Sequence, residues 1–190
     1  MLESFAQIKK VAIFGSVRKH GFEKALRELF AVLNEKSVEI FLDAEVNGFV
    51  IGNSINDLPE FSLLKKEDYA SVDLALSLGG DGTFLSSLTI VKDRNIPVAG
   101  VNFGRLGFLT SVKCASAEDL KSIKSIVRGE FVTQKRALLQ VESSQDESLA
   151  DRIFPYALNE ISIKNRAPRM VGLNIKIDGK SSMIPGGKQL

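Results

Sequence analysis

The chain of 190 residues has no tryptophan, one cysteine, one histidine and five prolines. With Cys114 alone, no disulfide can form within the chain, which suits a reducing compartment. His20 has no cysteine or acidic cluster around it, so neither a histidine-based metal centre nor a histidine-dependent triad is expected. An excess of one charge is also lacking. Lys plus Arg is 25 and Asp plus Glu is 23, for a formal net charge of +2, and the basic residues are scattered without interleaved aromatics. That balance argues against nucleic acid and membrane surfaces as partners. No apolar run approaches the length of a membrane span, and the N-terminus has no basic segment leading into a long apolar one. The expectation is a cytoplasmic protein.

Two common nucleotide motifs are missing as well. There is no G-x-x-x-x-G-K-[ST], and Gly15 and Gly21 after the first apolar run lack the G-x-G-x-x-G spacing.

What is present is an ordinary globular composition, 44% hydrophobic and 25% charged, in a chain long enough to bury a core. Lys10–Phe14 and Val38–Leu42 read as short strands. Between them Phe22, Ala25, Leu26, Leu29, Phe30 and Leu33 repeat at helical spacing. Residues 43–67, with Gly48, Gly52 and Pro59, read as loop and short irregular pieces. Val72–Leu78 reads as a strand, Thr83–Lys92 as a helix and Ile96–Val101 as a strand. This alternation implies βαβ units on a parallel sheet. Ser116–Arg128 reads as a helix with Ser116 as N-cap and Gly129 just past its end. Further on the period changes to two, at Leu139 and Val141, at Ile161 and Ile163, and from Val171 to Ile177. The expected fold is an α/β domain with a parallel sheet over 1–115, followed by a β-rich part over 116–190.

The chemistry is concentrated in Gly79-Gly80-Asp81-Gly82-Thr83, between a buried strand and a helix. The ends of parallel strands face the crevice where α/β proteins bind ligands. Glycines let backbone N–H groups approach a phosphate, and the helix that follows brings its positive end. Asp81 is the odd member, because a carboxylate repels a phosphate. It makes sense facing a hydroxyl that attacks the phosphate, or a metal bridging to it; the plain alternative is an N-cap of the helix.

Three segments in order resemble the NAD kinase family: Leu78–Thr83 (LGGDGT), Gly100–Leu109 (GVNFGRLGFL) and Ala157–Ile161 (ALNEI). The resemblance covers about residues 1–178, and three ordered motifs are far more specific than one. It implies transfer of the γ-phosphate of ATP, or of a phosphate from polyphosphate, to the 2′-hydroxyl of the adenosine ribose of NAD, giving NADP. It implies Asp81 as proton acceptor for that hydroxyl, and Gly82 as a place where NAD lies close to the backbone. It implies Gly79, Gly80 and Thr83 facing phosphates, Asn159 and Glu160 holding ribose and base, and Phe108 packing on an aromatic ring of NAD. Phe108 could equally be a core residue, and the plain alternative for Asn159 and Glu160 is a polar pair on a strand edge. Arg105 is a phosphate contact or, more simply, a structural ion pair. Arg169 is a further candidate for the NAD region. A divalent cation, Mg²⁺ by default, accompanies ATP. Members of the family are usually homo-oligomers.

Diacylglycerol and sphingoid-base kinases share a GGDGT loop, but the NFGRLGFL and ALNE segments favour NAD kinase. The family continues with a Thr/Ser-rich NAD-binding stretch, which SSMIPGGKQL after Lys180 does not match. The expectation is a C-terminally truncated chain, with an inactive or binding-only fragment as the alternative to an active kinase.

Overall fold

The computed structural model describes residues 6–92, 94–104, 107–110, 112–114, 116–142, 154–162 and 173–184. It divides into two compact units, Met1–Lys135 and Arg136–Leu190.

In the first unit the chain runs β1 (Lys10–Gly15), α1 (Phe22–Asn34), β2 (Glu39–Leu42), α2 (Ala44–Gly52), β3 (Ser62–Leu63), β4 (Leu74–Leu78), α3 (Asp81–Val91), β5 (Val98–Asn102), β6 (Val112–Lys113) and α4 (Ala117–Val127). All six strands are parallel, in the order β3-β2-β1-β4-β5-β6. The chain works outward from β1 to one edge, returns to β4 on the other side of β1, and works outward again. The strand order therefore reverses between β1 and β4, where Val11–Gly15 lie opposite Leu74–Leu78.

The central strands are continuous apolar runs because they are covered on both faces. All five residues of β4 are buried. One face packs Ile13, Leu74 and Leu76 against Leu26, Leu29 and Leu33 of α1, Val46 and Val50 of α2, and Ile123 and Val127 of α4. The other packs Ala12, Phe14, Phe41 and Ala75 with Val91 of α3. Asp73 sets the start of the sheet, its Oδ2 accepting from the N–H groups of Lys9 at 2.8 Å and Lys10 at 2.9 Å.

α2 lies where the sequence suggested irregular chain. Asp43 caps it, Oδ1 accepting from Val46 N at 2.8 Å. The apolar residues of AEVNGFVIG surround the helix rather than forming a stripe, with Val46 and Val50 buried and Ile51 exposed. Two glycines and an absent stripe hid it. Ser116 does cap α4, accepting from Asp119 N at 3.2 Å, and Gly129 takes φ 81° just beyond that helix. α4 belongs to the first unit. Lys124 pairs with Glu35 at 2.6 Å, and Ile8 N donates to Val127 O at 3.0 Å. The compact units divide after Lys135, with α4 in the first, where the expected division was 1–115 and 116–190.

Among the described residues the second unit holds two antiparallel pairs: β7 (Leu139–Gln140) with β8 (Tyr156–Ala157), and β9 (Leu173–Ile177) with β10 (Lys180–Ile184). Asp178 and Gly179, at φ 49° and 77°, form the tight turn between β9 and β10. Positive φ at both central positions is the geometry that matches strand twist, and Asp-Gly suits it. Ile161, expected on a strand, lies beyond β8 in no strand and is exposed, and Ile163 is outside the described residues.

Leu26→Ala, at a fully buried position, is expected to lower unfolding free energy by about 2–5 kcal/mol. Ile51→Ala, at an exposed one, is expected to stay within about 0.5 kcal/mol. Denaturant unfolding of both variants measures the difference.

Candidate functional site

In an open parallel sheet, the point where strand order reverses leaves a crevice at the carboxyl ends of two neighbouring strands. Here those strands are β1, which runs into residues 16–21, and β4, which runs into Gly79-Gly80. The loop after β5 borders them. Ser16 N donates to Leu78 O at 3.2 Å and Gly79 N to Val101 O at 2.8 Å, tying the three strand ends together.

The β4–α3 turn is built by its glycines. Gly79 is buried, and a Cβ there would overlap the side chain of Thr83 one turn along. Its N–H serves the neighbouring strand rather than the crevice, so Gly79 supplies room, and the expectation that it faces phosphate does not fit this geometry. Gly80 is the N-cap of α3 in an extended conformation, with no side chain to cap the helix. The first intrahelical bond is Phe84 N to Gly80 O at 3.0 Å, which leaves the N–H groups before it without intrahelical partners. Gly82 is exposed, with nothing within 4 Å of where its Cβ would stand.

Asp81 is the first residue of α3 and does not cap it. Its carboxylate reaches 27 residues along the chain, Oδ2 accepting from Phe108 N at 2.9 Å and Oδ1 from Leu109 N at 3.1 Å. Those two N–H groups, Phe108 first, hold the carboxyl below the usual aspartate range. Gly107 makes the approach possible, because a Cβ there would collide with the Asp81 carboxylate.

A second set of bonds shapes that loop from beneath. Asn102 and Thr110 are both buried. Asn102 Oδ1 accepts from Gly104 N at 2.8 Å, its Nδ2 lies 3.4 Å from Thr110 Oγ1, and Thr110 Oγ1 accepts from Gly107 N at 3.1 Å. Gly100 lets Thr110 in, since a Cβ there would stand 2.8 Å from the Thr110 Cα. From the β1–α1 loop, the Lys19 ammonium lies 3.4 Å from Asn102 Oδ1 and 4.8 Å from the centre of the Phe103 ring.

Gly79, Gly80, Asp81, Gly82, Thr83 and Phe108 are thus brought together. Phe108 is 99% exposed, so it is no core residue. Asn159 and Glu160 follow β8 in the second unit and are both exposed. Arg105 and Arg169 lie outside the described residues. Sequence reasoning missed Asn102, Gly107, Thr110 and Lys19. The first two sit inside the GVNFGRLGFL segment, and Lys19 in the basic run Arg18-Lys19-His20 directly after β1. Cys114 is buried, its thiol pushed up to about 12 by that burial and then by Glu28, which leaves it no thiolate near neutral pH. Among the described residues, no group of three or more His, Cys, Asp or Glu could hold a metal ion. No helix there is long and apolar enough to cross a membrane.

The sequence model of the ATP-NAD kinase N-terminal domain matches residues 11–131.

The chain belongs to the NAD kinase family. It is 30% identical over 175 residues to an NAD kinase of Flavobacterium psychrophilum, covering 90% of this chain and 58% of that protein. It is 34% identical over 168 residues to one from Porphyromonas gingivalis, covering 84% and 52%. The chain therefore spans about half the length of these curated NAD kinases. Its fold is similar to that of yeast NADH kinase, solved with NADH, at a TM-score of 0.63 and 18% identity over 93% of this chain and 55% of that one. An Archaeoglobus fulgidus NAD kinase solved with ATP gives 0.56 and 24% over 91% and 55%.

The Asp81 contact has a consequence that titration can read. A carboxyl held low in the folded state contributes stability above its unfolded value, and that contribution is lost as pH falls through the folded one. Gly107→Ala is expected to push the 107–109 loop off Asp81 and return its titration toward the ordinary aspartate range. Following the Asp81 carboxyl carbon by NMR from pH 2 to 6 checks it.

Proposed function

We propose that the chain carries the phosphoryl-transfer half of an NAD kinase, converting NAD to NADP with ATP or polyphosphate as donor. The single observation behind this reading is the pairing of Asp81 with the loop that bears Phe108, at the reversal point of a parallel sheet. A carboxylate and an exposed aromatic residue are then joined by a backbone bond beside the glycine turn after β4. A substrate with a ring to stack and a hydroxyl to present matches that pair. The family match supports NAD as that substrate.

In this reading the 2′-hydroxyl oxygen attacks the γ-phosphorus, the bond from that phosphorus to the β–γ bridging oxygen breaks and ADP leaves, while the hydroxyl proton passes to Asp81 late in the transfer. Asp81 accepts a hydrogen bond from the hydroxyl through a lone pair that the loop N–H groups leave open, fixing its direction of attack. The free N–H groups at the start of α3, with Gly80 and Thr83 around them, face the phosphates. Gly82 admits the dinucleotide close to the backbone. Asn159 and Glu160 contact ribose and base, and Arg169 the NAD region. Asp81 is a single carboxylate, which suits Mg²⁺ arriving as the counter-ion of the triphosphate rather than a protein-built cage. Its chemistry would be to neutralise phosphate charge. A cytoplasmic homo-oligomer is part of the same reading.

Incubating the chain with NAD, ATP and Mg²⁺ and reading NADP with an NADP-specific dehydrogenase tests the proposal. NADP formation that falls by about 10²–10⁴-fold in Asp81→Asn is the expected outcome. NAD binding without turnover would reduce the reading to a binding module, and failure to bind NAD would overturn it. Phe108→Ala is expected to weaken NAD binding by about 0.5–1.5 kcal/mol, roughly two- to tenfold in Kd, read by calorimetric titration.

A further inference from the structure

We propose that Lys19 is a donor-side binding residue, gripping the phosphoryl chain of ATP or polyphosphate above the Gly80 turn; this rests on the kinase reading above. Lys19 stands in the β1–α1 loop, its amine against Asn102 and Phe103 where the chain leaves β5. Its ammonium overhangs two glycines, 3.8 Å from where a Cβ of Gly80 would be and 3.4 Å from that of Gly104.

The amine is half-buried and poorly satisfied. Three N–H donors have one long bond to Asn102 Oδ1, at 3.4 Å, and the face of Phe103. Among the described residues it forms no ion pair with a carboxylate. Asp81, the acid on the adjacent turn, accepts from Phe108 N and Leu109 N instead. A cation held by a ring face and an amide, beside a helix start that has no side-chain cap, is matched by a multiply charged anion. Phosphate oxygens at that place would complete the ammonium's donors and meet the N–H groups of α3 together.

Lys19 recognises charge rather than base or sugar, so it would serve a nucleoside triphosphate and inorganic polyphosphate alike.

Calorimetric titration of the whole chain with MgATP, inorganic tripolyphosphate and NAD tests this, using Lys19→Ala and Lys19→Arg and with thermal unfolding recorded for each. Lys19→Ala is expected to weaken ATP and tripolyphosphate by about ten- to a hundredfold and to leave NAD within about twofold. Lys19→Arg, which keeps the charge, is expected to restore most of the loss, and added salt to shrink the difference. Unchanged donor affinity in Lys19→Ala would overturn the proposal while leaving the kinase reading standing. So would equal losses for donor and NAD, which would mark Lys19 as merely structural. A wild-type chain that binds NAD but neither ATP nor tripolyphosphate overturns it too, and one that binds none of the three overturns the kinase reading itself.

Discussion

The candidate site depends on one carboxylate accepting two backbone N–H groups. Asp81 is placed at the start of α3 by a turn of glycines, and the bonds from Phe108 and Leu109 give its side chain a direction. The same bonds fix the loop. Phe108 has no packing of its own, so its backbone must be held for its ring to have any defined position. One contact therefore orients both the charged group and the apolar one. The approach is close enough that Gly107 can be nothing larger, and Gly107 is itself held by Thr110, which Gly100 admits. Removing any of these bonds leaves the remainder without a fixed partner, as in other polar networks of low local dielectric.

The sheet explains why this contact forms between such distant residues. Reversal of strand order between β1 and β4 opens the crevice. Parallel pairing of β4 with β5 then brings the turn after one beside the loop after the other. The helices that begin in the crevice, α1 and α3, start at Gly21 and Gly80 with no side-chain cap, whereas Asp43 and Ser116 cap α2 and α4. A side-chain cap would satisfy the N–H groups that an anion could otherwise use. The two helices that start beside the strand-order reversal thus lack the side-chain caps that the other two have.

These two levels were unequally legible in the sequence. The central strands and α1 were plain, because buried runs and a regular stripe dominate their stretches. The GGDGT turn was plain too, because three glycines around one acid between a strand and a helix have few uses. α2 was hidden by an apolar residue on every side and two glycines. Asn102, Thr110 and Lys19 were hidden for a different reason. Their significance lies in contacts between loops that only the strand order brings together, and no local period encodes that order. Phe108 was legible as a residue of interest but not as an exposed one, since a sequence cannot tell a core phenylalanine from one standing in solvent.

The environment of Asp81 bears on what it can do. Its two N–H partners favour the ionised form and lower its proton affinity. A general base works best with a pKa near the operating pH, and the neighbours of Asp81 have moved it away from that range. If it faces the attacking hydroxyl, its stronger contribution is then directional. Phosphoryl transfer through a loose transition state asks little of the nucleophile's proton until late, and much of the alignment between entering oxygen, phosphorus and leaving oxygen. A carboxylate fixed by two backbone bonds, with lone pairs to spare, supplies alignment without having to be a strong base. The bonds that make Asp81 a weak base are the ones that hold it still, and for this chemistry the second property is the useful one.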